Sequence, residues 1–188
     1  MPTLFRYTLS ALAVLLACPK THAISKNVSV MKLKAGDQAP SFVGVDQRGR
    51  TVRLEDFRGG KLVLYFYPKD NTPFCTAQAK SLRDRYDQLR QAGYSVVGVS
   101  TDDVASHKAF AEKHNIPFPL LADTDHSVHQ LYGTWIQQKV LWLWKFWGSA
   151  RTTFVIDEEG RIAKIIDQVQ TKTHADQILS HSSDAASR

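Results

Sequence analysis

Lys61-Leu-Val-Leu-Tyr-Phe-Tyr67, Pro68-Lys-Asp-Asn-Thr-Pro-Phe74 and Cys75-Thr-Ala-Gln-Ala-Lys-Ser-Leu-Arg-Asp-Arg-Tyr-Asp-Gln-Leu-Arg-Gln91 follow one another without a gap. The first is a short apolar run, rich in aromatic residues and ended by proline, which predicts a buried central strand. In the third, Cys75, Ala79, Leu82, Tyr86 and Leu89 fall at offsets 0, 4, 7, 11 and 14, one face of a helix, and Gly93 stops it. The segment between them is a turn stiffened by Pro68 and Pro73. Strand, turn and helix in this order make a unit whose helix N-terminus lies at the end of a central strand.

The flanking sequence repeats the alternation. Tyr94-Ser-Val-Val-Gly-Val-Ser100 reads as a second buried strand, and Asp102 or Asp103 can cap a helix running to about His114. Pro117-Phe-Pro-Leu-Leu-Ala122 is extended and pairs at one end, because proline cannot donate to a ladder. A short helix is expected over Asp125–Tyr132. Thr152–Ile156, Asp157–Gly160 and Arg161–Ile166 predict strand, turn and strand. A last helix over Thr173–Ser180 and a frayed tail from Ser182 to Arg188 complete the chain. Upstream of Lys61, Gln47-Arg-Gly-Arg50 reads as the turn of an N-terminal hairpin. The order predicts an α/β domain of thioredoxin-like fold over residues 36–181, a central mixed sheet flanked by helices, with the hairpin as an extension.

With 188 residues, 43% hydrophobic and 22% charged, the chain suits one globular domain rather than a disordered one. No apolar run of about 20 residues occurs, which excludes a polytopic membrane protein. The net charge of +6 is scattered and forms no basic stripe of the kind nucleic acid requires. Residues 1–23 have the layout of a secretory signal: Arg6, an apolar run from Tyr7 to Ala17, and the small-residue exit Thr21-His22-Ala23. Export to a bacterial periplasm is expected. Leu15-Leu16-Ala17-Cys18 offers a competing route, in which residues 1–17 are removed and Cys18 carries lipid. Cleavage after Ala23 leaves residues 24–35 as an N-terminal segment, a charge of +4 and a single cysteine, Cys75.

Cys75 sits where a thiolate is favoured. The first turn of a helix carries unpaired N–H groups and partial positive charge. The Thr72 hydroxyl, three residues earlier, can fold back toward the sulfur. By position alone, Cys75 reads equally well as a small residue on the helix's inner face.

The run Phe66-Tyr-Pro-Lys-Asp-Asn-Thr-Pro-Phe-Cys-Thr76 resembles the active-site loop of peroxiredoxins, in particular the peroxiredoxin Q, or bacterioferritin-comigratory, subfamily. The likeness extends through Gly36-Asp-Gln-Ala-Pro40, Leu54–Gly59, Gly98–Asp102, Ser106-His107, Tyr132-Gly133 and Gly148–Asp157. The resemblance implies a thiol-dependent peroxidase that needs no metal or organic cofactor. Cys75 takes the peroxidatic position, Thr72 the hydroxyl position, Pro68 the shielding proline and Arg151 the active-site arginine, with Pro73 and Phe74 in the same loop. Without the resemblance, Arg151 reads as an ordinary arginine at a strand start.

Three departures from the subfamily's pattern matter. Its resolving cysteine, five residues after the first, is replaced by Lys80. This implies a one-cysteine cycle completed by an external thiol: a thioredoxin-like protein, glutaredoxin or glutathione. The glycine before the peroxidatic cysteine is Phe74, at the mouth of the pocket, where it could favour apolar hydroperoxides. All four tryptophans lie within Trp135–Trp147. Over Val140–Trp147 a strand would group Val140, Trp142, Trp144 and Phe146, and a helix would group Val140, Leu143, Trp144 and Trp147. The segment is either core packing or an exposed patch for a membrane surface or other apolar partner, through Trp142, Trp144 and Trp147. A monomer is expected, with a dimer as the alternative. Two competing functions remain: a disulfide exchanger, which would need a second cysteine where Gln78 stands, and a non-catalytic adaptor of the same fold.

Overall fold

The computed structural model describes residues 32–140 and 144–185. The expected export signal, both of its processing routes and Cys18 lie outside the described residues, as does Trp142.

Seven strands form one mixed sheet: β1 (Val43–Asp46), β2 (Thr51–Arg53), β3 (Lys61–Phe66), β4 (Tyr94–Ser100), β5 (Leu120–Ala122), β8 (Thr152–Ile156) and β9 (Ile162–Ile166). Their order is β2-β1-β5-β4-β3-β8-β9. β3, β4 and β5 run parallel, and β1, β2, β8 and β9 are joined by antiparallel pairings. The helices are α1 (Pro73–Asp84), α2 (Tyr86–Gln91), α3 (Val104–His114), α4 (Ser127–Leu131) and α5 (His174–Ala185). β3 and β4 are buried almost throughout because both sheet faces are covered. One core cluster contains Val63, Tyr65, Leu82, Leu89 and Ile178; the other contains Leu62, Leu64, Phe66, Val97 and Phe154.

The fold agrees with the sequence reading, and the bounds of two helices need correction. The single helix expected from Cys75 to Gln91 starts two residues earlier, at Pro73, and breaks at Arg85, whose backbone (φ −111°, ψ 15°) leaves the helical range. The break turns Tyr86 against Phe118, with ring centroids 5.6 Å apart, while Leu89 still reaches the core. The apolar period runs through the break, so spacing alone cannot reveal it. The last helix continues past Ser180, into the expected tail, to Ala185, and residues 186–188 of that tail lie outside the described residues; residues 181–185 contain no glycine or proline to stop it. The hairpin of β1 and β2 is part of the main sheet, because β1 pairs with β5.

The tryptophan-rich segment is extended. β6 (Trp135–Val140) and β7 (Trp144–Ser149) pair antiparallel in a two-stranded sheet of their own, with Val140 opposite Trp144. The base of this arm is anchored. The His126 ring stacks on Trp135 with centroids 3.9 Å apart, and Ala150 N–H donates to Thr134 O. Buried His129 bridges the Asp123 carboxylate and Ser149 Oγ, and the latter lies 2.9 Å from Nε2. Burial of Asp123 is outweighed by bonds from the His129 side chain and from the N–H groups of His129 and Val128, which lower its pKa to about 2. The anchoring fixes where β7 ends, and so where Arg151 stands just before β8.

Candidate active site

β3 pairs with β8 so that Phe66 lies opposite Thr152. Arg151 therefore stands at the end of β3 where the turn to α1 begins. That turn is held from below. Asp70 accepts from Tyr67 Oη at 2.8 Å, from Ser106 Oγ at 2.8 Å and from His107 Nδ1 at 2.9 Å, and its own N–H donates to Asp102. Asn71 takes φ 58°, a left-handed conformation that asparagine tolerates. Asp70, Asp102 and His107 also bring three metal-capable atoms within 4.8 Å of one another, but Tyr67, Ser100, Ser106 and the Asp70 N–H already bond the two carboxylates.

Thr72 is the N-cap residue of α1 and Pro73 is its first residue, which makes Cys75 the third, still within the first turn. Proline has no N–H, and the Thr76 N–H bonds Thr72 O at 2.9 Å. The orphan donors of this helix end are therefore those of Phe74 and Cys75, and the Thr72 side chain does not cap them. The Thr72 hydroxyl donates to Lys69 O at 3.0 Å, so the fold-back toward sulfur anticipated from the spacing is replaced by a bond within the turn. Its lone pairs stay open.

The Cys75 thiol is 2% exposed. Arg151 Nη2 donates to Sγ at 3.2 Å, and Nη1 donates to Oε1 of Gln78. Gln78 lies one turn beyond Cys75 on the same face of α1 and is fully buried. Gln78 Nε2 lies 3.2 Å from His174 Nδ1, and His174 Nε2 lies 3.1 Å from Thr153 Oγ1. Burial, and then the charge of Arg151, push the pKa of His174 down to about 3, so the ring is neutral. Pro68 is exposed at the strand exit, Pro73 is exposed at the helix start, and Phe74 is 68% exposed beside the thiol.

The fold thus brings Cys75, Thr72, Phe74 and Arg151 to one end of β3. Gln78 and His174 were not anticipated as parts of the site. The helical face that carries Cys75 and Ala79 could have suggested Gln78. His174 reaches Gln78 across 96 positions of sequence, and no local pattern signals that contact.

Comparison with known proteins matches the sequence and the fold of this chain to one family. The AhpC/TSA family model covers residues 35–165. This chain is a peroxiredoxin of the AhpC/TSA family. It is 44% identical over 147 residues to Peroxiredoxin Bcp of Escherichia coli K12, covering 78% of this chain and 94% of the relative. It is 38% identical over 167 residues to the chloroplastic Peroxiredoxin Q of Populus jackii, covering 87% of this chain and 74% of the relative. Among solved structures it resembles the peroxiredoxin Q of Xylella fastidiosa, with TM-score 0.75, 30% identity, and 82% and 98% of the two chains covered. It also resembles the peroxidoxin BcpB of Mycobacterium tuberculosis, with TM-score 0.71, 34% identity, and coverage of 81% and 97%. A peroxiredoxin is an oxidoreductase that reduces peroxides at a cysteine, and this chain has the fold and the family's sequence for that chemistry. The family supports the peroxidase reading over disulfide exchange, which would need a cysteine where Gln78 stands.

Proposed function

We propose that this peroxiredoxin is an exported, one-cysteine peroxidase whose peroxidatic residue is Cys75. The observation that carries the reading is the 3.2 Å contact from Arg151 Nη2 to Cys75 Sγ, which stabilises the thiolate at the turn. The thiolate attacks one oxygen of the peroxide, the O–O bond breaks, and the second oxygen leaves as hydroxide or alkoxide and takes up a proton. The cysteine becomes a sulfenic acid. Arg151 and the N–H groups of Phe74 and Cys75 stabilise the charge that develops on oxygen. Thr72, whose own proton is engaged with Lys69 O, meets the peroxide with a lone pair that can accept its O–H.

Lys80 occupies the position where a resolving thiol would stand in α1. The sulfenic acid is therefore reduced from outside. A thiol attacks the sulfur, water leaves, and a second thiol releases the mixed disulfide. A thioredoxin-like protein, a glutaredoxin or glutathione supplies these thiols. A monomer is the expected working form, with a dimer as the alternative. The signal-like residues 1–23 support export to a periplasm, with a lipid anchor on Cys18 as the competing form. Ile136, Phe146 and Trp147 are exposed on the β6–β7 arm, with Phe74 exposed beside the thiol; they support contact between this arm and a membrane surface or apolar hydroperoxides.

The deciding experiment is Cys75→Ser, a nearly isosteric change. Peroxide consumption with each candidate thiol should fall to background while the fold is kept. Mass spectrometry of the peroxide-treated wild type should place the added oxygen, and then an added thiol, on Cys75. Consumption near the wild-type rate in Cys75→Ser would overturn the assignment.

A further inference from the structure

We propose that His174, at the start of the C-terminal helix, is a positioning residue that sets the amide orientation of Gln78 and through it holds Arg151 on the thiolate. The proposal rests on the reading of Cys75 as peroxidatic and adds a residue that touches neither sulfur nor substrate.

The bonds permit one assignment. Arg151 has donors only, so the atom of Gln78 facing it is the carbonyl oxygen. The Gln78 NH2 then faces His174 Nδ1 at 3.2 Å, which must offer a lone pair. His174 Nε2 consequently carries the proton and donates to Thr153 Oγ1 at 3.1 Å. Gln78, His174 and Thr153 are all fully buried, so no water competes for these bonds. The neutral ring agrees with its surroundings, since burial and Arg151 both disfavour an imidazolium.

A buried primary amide has two orientations related by a half turn. Without a lone pair at position 174, the Gln78 NH2 is left buried with no acceptor there, and Arg151 alone holds the amide in the orientation that accepts from it. The neutral amide has a second consequence. It holds Arg151 in place without cancelling its charge, as a carboxylate at that position would, and the full charge stays available to sulfur. α5 is locked in the same register by Ala175 N–H donating to Ser81 Oγ at 3.2 Å and by an Arg85–Asp176 ion pair at 2.9 Å. The C-terminal helix is thus wired to the reaction through one imidazole nitrogen.

The test compares His174→Leu, which removes the lone pair, with His174→Asn, whose carbonyl oxygen can stand in for Nδ1. The readouts are the Cys75 thiolate fraction at fixed pH, measured by its ultraviolet band and its rate of alkylation, and kcat/KM for hydrogen peroxide. The leucine variant should lose about tenfold in both rates, the scale of one lost buried bond, and asparagine should restore most of it. On a Gln78→Leu background, His174→Leu should add nothing further. Equal losses in the leucine and asparagine variants, or additive losses on that background, would assign His174 to packing alone. If the leucine variant does not fold, nitrogen NMR of the wild-type imidazole decides: the Nε2–H tautomer is expected at neutral pH, and an Nδ1–H tautomer or an imidazolium would overturn the proposal. Thiolate content and tautomer are read without turnover, so they stand apart from any failure of the peroxidase reading.

Discussion

Arg151 divides its guanidinium between two acceptors, sulfur on one nitrogen and a neutral amide on the other. Replacing it by methionine keeps bulk and removes both bonds. Arg151→Met should lower the thiolate content of Cys75 at neutral pH and depress peroxide turnover by about 100-fold or more, measured by alkylation rate and by peroxide consumption. Thr72→Val should leave thiolate content nearly unchanged while slowing peroxide attack by a comparable factor; full-rate turnover would remove Thr72 from the mechanism. Gly98 shows a purely steric demand. A Cβ there would lie 2.7 Å from both Cζ and Oη of Tyr65 and 2.8 Å from Leu120 Cδ2. Gly98→Ala should cost about 1–3 kcal/mol by overpacking, read as a lower urea midpoint at constant slope. These residues differ in how readily the sequence shows them. Cys75 is legible as a helix-opening thiol after a buried strand. Arg151 becomes legible only through the family's pattern, since an arginine at a strand start is ordinary. The demand at Gly98 depends on Tyr65 in the neighbouring strand.

At the scale of elements, the strand–turn–helix unit and its neighbours follow from apolar period and turn residues, which is why β3, β4, α3 and the β8–β9 hairpin are found where expected. The β6–β7 arm does not. A near-continuous apolar run has neither a period of 2 nor one of 3.6, and only the pairing of Ile136 with Gly148 and of Gln138 with Phe146 decides it. Among the described residues its strands pair only with each other, and its described surface exposes Ile136, Phe146 and, at 58%, Trp147. If the arm selects apolar substrates, Phe146→Ser with Trp147→Ser should lower the ratio of organic-hydroperoxide to hydrogen-peroxide turnover. The double change should also abolish any shift of tryptophan emission with anionic liposomes. An unchanged ratio together with unchanged emission would reduce the arm to packing. The two residues lie outside the bonds around Cys75, so hydrogen-peroxide turnover should persist.

The whole molecule carries a pH dependence to which buried His174 contributes. His174 stays neutral in the fold down to about pH 3, whereas an unfolded histidine titrates near 6.5. Across that window the unfolded chain binds the extra proton, so stability falls as pH drops from about 6.5 toward 3, by up to about 1.4 kcal/mol per pH unit. The pKa of His114, lowered by burial and then by Lys80, acts in the same direction. Asp123 adds its loss only below its ordinary value of 3.8, toward about 2. Urea midpoints should therefore be flat from pH 8 to about 7 and decline below about 6.5, and His174→Asn should flatten the upper part of that decline. A midpoint that rises as pH falls from 6.5 to 5 would contradict a neutral, buried His174. The unbroken course of α1 from Pro73 to Asp84, with Gln78 tied to both β8 and α5, has a consequence for signalling. With no second cysteine in that helix, a cycle run at Cys75 on the proposed one-cysteine reading closes no disulfide within α1. A protein that tells a spent enzyme from a fresh one would then have to read a sulfur that is only 2% exposed.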